Sequence, residues 1–340
     1  MAISSGVGPH FAWVQTTGGL FPVEHGSATQ NAQRKSSQFS GTLPLYYPGA
    51  RAAFKNLGEN TSSVIVQTRG STAPLVTGEI LTVEFDYIVG NIRFTGHDMS
   101  DKLHGMKSSE KWNNKTGQDI VKDLAGRAGL GFQGSISSGL MAGKKVLQDY
   151  VKVTDGMSFS SVIHKLAEFD GARWWVNGAG VLMYMGLTET QGVYTLNYSA
   201  GMPERADFTK LSVKRNIPAG KDISVKVQSW NPKLKQVFEH ITNIGGSGGK
   251  NQYTYHIPNL LMDHVQQKAK SKANEAASHE LKVVAECVGD PTINPAMGLR
   301  LNGTDFDQLY QIEEIHHEFG MSGHNMTIHA KSAKEGRSAS

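Results

Sequence analysis

Short runs in which apolar and polar residues alternate dominate the chain. In "ISVKVQSWNPKLKQVFEH", Ile223, Val225 and Val227 alternate with Ser224, Lys226 and Gln228 until Trp230, Asn231 and Pro232 stop the run. A period of two predicts a strand with one buried face. In "ILTVEFDYIVGNIRFTG", Leu81, Val83, Phe85 and Tyr87 share a face, Gly90-Asn91 makes a turn, and Ile92 and Phe94 resume the pattern. This is a hairpin signal. "SSVIVQT" reads as a further strand, and "FSGTLPLYYPGA" as one ended by Pro48-Gly49.

The period changes after "HDMSDKLHGM". Thr116 is placed to cap a helix through "GQDIVKDLAGRAGL", with Ile120, Leu124 and Ala128 on one stripe and Gly129 as its stop. A second helix, "SFSSVIHKLAEFDG", has Ser158 as cap, a stripe of Phe159, Val162, Ile163 and Leu166, and Gly171 at its end. The hairpin "ARWWVNGAGVLMYMG" follows. Strands return at "FTKLSVKRNI", and "GGSGGK" at 245–250 reads as a flexible loop. A long helix over 259–280, capped by Asn259, carries Leu261, Val265, Ala269, Ala273 and Ala276 on one stripe, with Lys268, Lys270 and Lys272 expected in water. "LKVVAECVG", "GLRLNG", "LYQIEEIHHEF" and "HNMTIHAKS" return to strands, and the polar end is expected to be loose.

Composition narrows this picture. The 340 residues suffice for two or three domains, and 38 glycines favour many turns over a helical bundle. The net charge of +4 is spread along the chain, with no basic stripe of the kind that tracks nucleic acid. The single cysteine, Cys287, forms no internal disulfide, and the first residues have no basic and apolar segments of a secretory signal. No run of about 18 apolar residues predicts a membrane span. Synthesis and folding in a cytoplasm are expected.

Candidate chemistry is sparse. "GLGFQG" matches G-x-G-x-x-G at Gly129, Gly131 and Gly134, but a dinucleotide site needs a strand before it and a helix after it, and here a helix comes first. His316, His317, Glu318, His324 and His329 are the best metal candidates. They lack the His-Glu-x-x-His spacing, and neighbours on a strand point to opposite faces. Glu84 and Asp86 fit the wet face of a strand, while Asp98 and Asp101 sit where a helix can start. Gly156-Met157-Ser158-Phe159-Ser160 departs from G-x-S-x-G at its fifth position. Cys287 lies in an apolar strand and is expected to pack. The residues alone favour an assembly component. A tail-associated cell-wall hydrolase or metal-dependent peptidase is the alternative, and a carbohydrate-binding module stacking sugars on Trp174 and Trp175 is a third reading.

The order of the segments resembles the late control D family of phage tail baseplate hubs. It runs from "VEFDYIVGNIRFTGHDMSDKL" and "TGQDIVKDLAGRAGL" to "WWVNGAGVLMYMG", "FTKLSVKRNI" and "SVKVQSWNPKLKQ". An Ala-rich helix, "DPTINPAMGLRLNG" and "DQLYQIEEIHHEF" follow. The likeness spans most of 75–331; in the first 70 residues only "SSQFSGTLPL" matches. The hub half of type VI secretion spike proteins is similar.

The resemblance implies a β-rich α+β fold with two tail-tube-like β-barrels, one over 1–97 and one over 204–331. An α+β insertion over 98–203 separates them, and 332–340 is a flexible tail. It implies a homotrimeric ring in the virion baseplate that adapts a sixfold tail tube to a threefold central spike, with no cofactor and no catalysis. Partners would be the spike, the tube or a tube-initiator protein, and wedge and tape-measure proteins. Trp230, Asn231 and Pro232 become a candidate interface, the Trp packing either on a neighbouring subunit or back on its own barrel.

Overall fold

In the computed structural model, residues 12–332 and 337–338 are described, apart from interruptions at 33–35, 59–62, 69–72, 111, 113–114, 137–140, 143–155, 188, 202–203, 218–222, 233, 245–250, 259 and 322. The expected 245–250 loop and the Asn259 cap lie outside the described residues. The fold is β-rich α+β, and its largest sheet is 14-stranded, shared by the two ends of the chain.

The first β unit has as its first strand Ala12–Thr16. Its second is a run broken at Glu24 into Gly19–Val23 and His25–Asn31. The third to sixth strands are Gln38–Pro44, Ser63–Thr68, Val76–Asp86 and Asn91–Asp98. The second strand pairs with the first before Glu24 and with the third after it. The third pairs with the sixth, the sixth with the fifth, the fifth with the fourth, and the fourth with the first. Counting the bent strand once, the neighbour order returns to its start. No sheet closes by pairing between separate elements alone among the described residues. Alternate strand residues Phe21, Phe39 and Phe94 point inward and, with Phe54 from the short helix Ala50–Lys55, make an aromatic core, with ring centroids 5.5–6.3 Å apart. A register shift between Ile80 and Thr82 departs from the expected alternation. This bulge turns Leu81 outward, while Ile80, Val83 and Phe85 pack on the core.

The second unit repeats this neighbour order. Its strands are Val193–Ser199, a bent run made of Arg205–Ala206 and Lys210–Arg215, then Leu281–Val288, Gly298–Asn302, Leu309–Gly320 and Gly323–Ser332. The bent run pairs with the first strand and then with the third. The third pairs with the sixth, the sixth with the fifth, the fifth with the fourth, and the fourth with the first. One pairing differs in sense: first with fourth is antiparallel in the first unit and parallel in the second. The second core is aliphatic, built on Val283, Leu299, Ile312, Ile315 and Ile328.

The units share an edge, because Leu309–Gly320 also pairs with His25–Asn31. Phe319, from the second unit, sits in the first unit's core. Gly26 permits this, since a Cβ there would meet the Phe319 ring at 2.5 Å.

Between the units lies the α+β segment. Helix Gly117–Arg127 starts as expected, with Thr116 and Asp119 in a reciprocal cap, and helix Phe159–Asp170 is capped by Ser158 and stopped by Gly171 at φ 66°. Their apolar faces, Ile120 and Leu124 against Ile163 and Leu166, share a core with Trp174 and Tyr184. The hairpin Ala172–Val176/Val181–Gly186 grips both β units. At its turn, a Cβ on Gly178 would meet the Pro74 carbonyl oxygen at 2.2 Å, and the Gly178 carbonyl accepts from Thr77 Oγ1 at 2.7 Å. At its base, Arg173 Nη1 donates to the Pro295 carbonyl at 3.1 Å and Nη2 to Glu189 O at 2.8 Å.

A second, four-stranded sheet contains Ile223–Asn231, Gln236–Ile244, Asn251–His256 and Arg337–Ser338. It carries the long helix, which runs over Met262–Ala277 with Leu261 at its N-cap position. Val265, Ala269 and Ala273 lie on Val225 and Val227 in one core. The small alanine stripe allows this close approach. Lys268 and Lys272 do not extend into water as expected: helix Phe159–Asp170 lies alongside, and their Nζ atoms bond Glu168 O at 2.8 Å and Glu168 Oε1 at 3.5 Å. The end of the chain, expected to be loose, is partly paired: Ser332 completes a strand and Arg337–Ser338 adds an edge to this sheet.

Candidate functional site

Strand Ile223–Asn231 sets the geometry around the expected interface. Its alternation points Val225, Val227, Ser229 and Asn231 at the long helix and Lys226, Gln228 and Trp230 outward. Ser229 Oγ accepts from Leu260 N at 2.8 Å, which ties the strand to the start of the helix. Asn231 is buried, and its Oδ1 accepts from Leu234 N at 3.2 Å, which shapes the turn. Pro232 is exposed in that turn, and Lys235 takes the left-handed conformation that brings the chain back.

Trp230 is 51% exposed and does not fold into the core. It stands directly across from Val237, itself 55% exposed, with half-exposed Leu234 in the adjoining turn. Behind this apolar shelf, Glu239 accepts from Gln228 Nε2 at 2.8 Å and pairs with Lys226 Nζ at 3.0 Å. These contacts, Gln228 first, hold its carboxyl below the usual carboxylate range. An exposed indole with aliphatic neighbours and a polar rim has the chemistry of a protein contact.

A second exposed apolar feature escaped the sequence reading. The first unit's long hairpin ends in Tyr87, Ile88 and Val89, with Ile88 98% exposed and Tyr46 alongside. Asp86 Oδ1 accepts from the backbone of Ile88 and Val89 at 3.0 and 2.8 Å and holds the tip in shape. The signal was present as three apolar residues in a row at a turn.

The other candidates are dispersed. Glu84 faces Arg93 at 3.8 Å on the wet face, and Asp101 meets His97 at 3.4 Å. Asp98 is buried, accepting from Ser100, and burial raises its carboxyl. Gly129 stops the helix at φ 72°, and Gly131–Gly134 is a strand, so no helix opens on the glycine motif. Trp174 and Trp175 are both buried and offer sugars no platform. Cys287 is buried, its thiol pushed up to about 11 by burial. In the histidine segment two imidazoles meet, His317 Nδ1 to His324 Nε2 at 3.0 Å. His316 instead bonds Thr29 Oγ1 at 2.8 Å and Glu318 at 3.2 Å. Burial, then His324, pushes His317 down to about 3. Among the described residues, no group of three His, Cys, Asp or Glu could hold a metal ion, and no helix is long and apolar enough to cross a membrane.

No family model and no curated protein matches the sequence. Solved structures do. A tail protein from Neisseria meningitidis aligns over 95% of this chain and 96% of its own, with TM-score 0.73 and 13% identity. The 43 kDa tail protein of prophage MuSo2 from Shewanella oneidensis aligns over 94% and 98%, with TM-score 0.70 and 12% identity. The fold is that of phage tail proteins. An E. coli type VI secretion component, described as similar to the T4 tail proteins gp27 and gp5, shares this tail-protein fold over 96% of this chain and 79% of its own, with TM-score 0.59 and 10% identity.

Proposed function

We propose that the chain is a structural baseplate hub of the late control D kind, located in the virion. Three copies would form a ring between a sixfold tail tube and a threefold central spike. The observation that carries this reading is the repeated neighbour order of the two β units. A trimer meets six tube subunits only when each chain offers two similar contact surfaces, and two units of one plan supply them. Each unit would serve as a tube-like barrel, with the α+β segment and the second sheet outside the ring. The Trp230 shelf and the Ile88 tip are the surfaces we assign to neighbours in the assembly, whether another hub subunit, the tube or tube-initiator, the spike, or wedge and tape-measure proteins. The chain acts by positioning these partners and catalyses nothing.

The test is mass measurement of the purified protein with and without its spike, followed by imaging of the complex. The expected result is a particle of three times the monomer mass, in which the two β units alternate around the axis. A monomer that persists with spike bound removes the hub reading.

A further inference from the structure

In the second β unit, strands Lys210–Arg215 and Leu281–Val288 run antiparallel, and their ladder is electrostatically lopsided. At one end Lys210 lies opposite Glu286, and the two form an ion pair at 2.9 Å. At the other end Lys214 lies opposite Lys282, and Lys282 in turn lies opposite Lys331 on the next strand. Directly paired side chains sit about 5 Å apart at Cβ, so this row sets three ammonium stems side by side at a cost to the sheet. Lys331 is neutralised by Glu313 at 2.8 Å. Among the described residues, no carboxylate pairs with Lys214 or Lys282. Both line a cleft of about 600 Å³, together with Arg215, Asn216, Ile217 and His279. Ile217 is 63% exposed there, an apolar contact beside the charges.

We propose that this cleft docks a short acidic segment of a partner protein, with carboxylates answering Lys214 and Lys282 and an apolar side chain covering Ile217. Nucleic acid fits less well. The row of cations is bounded by Glu280, which pairs with Arg215 at 3.5 Å, and by Glu286 and Glu313. A phosphate backbone extending past two lysines would run onto these carboxylates, whereas a segment with two or three acidic residues stops short of them. The inference does not depend on the hub reading, because it concerns one chain and holds for a monomer.

The experiment uses the full chain with a fluorescent pentapeptide, Gly-Glu-Leu-Glu-Gly, and a thymidine oligonucleotide of the same length as competitor. The expected result is peptide binding that weakens with salt and falls roughly tenfold in the Lys214→Gln/Lys282→Gln variant, with the oligonucleotide a poorer ligand. Folding is checked independently. Lys282→Glu would create an opposite-charge pair with Lys214, so its melting temperature should rise by about 1 °C. Native protein that ignores the peptide, a double variant that binds it equally well, or tighter binding of the oligonucleotide would each overturn the proposal.

Discussion

The two β units share a neighbour order and almost nothing else. One core clusters phenylalanines among its aliphatic residues, while the other buries no phenylalanine and sets aliphatic residues around Tyr310. One passes from its second strand to its third within a few residues, Asn31 to Gln38. The other places three strands of the second sheet and the long helix, 223–277, in the same connection. Strand order therefore survives a change of core chemistry and a large insertion, because it depends on alternation and on where the bent strand changes partner. The units are not independent either. The first completes its core with Phe319, borrowed across their common edge.

That borrowed ring gives the largest expected effect. Phe319→Ala should cost about 4 kcal/mol, as for other large aromatic deletions in a core. It should lower the denaturant midpoint of signals from both units together. A loss confined to one unit would show that they unfold separately.

Acid should separate the units next. His317 is fully buried in the second unit's fifth strand, and its folded value of about 3 lies below the ordinary 6.5. Between these values the unfolded chain binds a proton that the fold refuses. Stability is thus whole above pH 6.5 and falls as pH drops toward 3, by on the order of 3 kcal/mol at pH 4. His324, whose Nε2 lies 3.0 Å from His317 Nδ1, is also pushed down, first by burial, and shares the response. Denaturant titrations at pH 7 and pH 4 should show the drop, and His317→Phe should flatten it. An equal drop in that variant would move the cause elsewhere.

Gly178→Ala tests the docking of the α+β hairpin on the first unit. The new Cβ meets the Pro74 carbonyl, so the turn must withdraw, at about 2 kcal/mol. Hydrogen exchange should quicken around Thr77 and Gly178, with the second unit unchanged. The smallest effect on the isolated chain belongs to Trp230→Ala, below about 0.5 kcal/mol for an exposed site. In a mixture with tail partners its effect on assembly should be large, and unaltered assembly would take Trp230 out of the interface.

Alternation made most strands legible, and the Thr116 and Ser158 caps appeared where short polar side chains precede an apolar stripe. Local pattern could not show which strands are neighbours across the chain. Nothing near Leu309–Gly320 announces that its partner is His25–Asn31. The bulge at Ile80/Thr82 is likewise a shift of register between two strands, which no single residue type announces. Charge alone predicts exposure for Lys268, and the carbonyl that a neighbouring helix offers it lies beyond local pattern. At the candidate interface, the turn at Trp230 was visible as a stop in the alternation. The Ile88 tip is hidden in the sequence because an apolar run beside an alternating strand looks like its continuation, whereas the turn covers 87–90. The Lys214–Lys282 row exists only once the register is known.

The corner at Glu24 has a mechanical meaning. Glu24 N donates to Thr42 O at 2.8 Å, just where the chain leaves one neighbour for another. A sheet whose ends meet only through hydrogen bonds can relieve load by sliding one strand along the next. Here the covalent chain itself joins the ends, so sliding by one residue on one side drags the same residue out of register on the other. The unit behaves as a hoop rather than a roll. Torque applied to one edge is carried around its circumference as tension in the backbone, and the hoop keeps its aromatic core enclosed until the chain is cut or the whole unit unfolds.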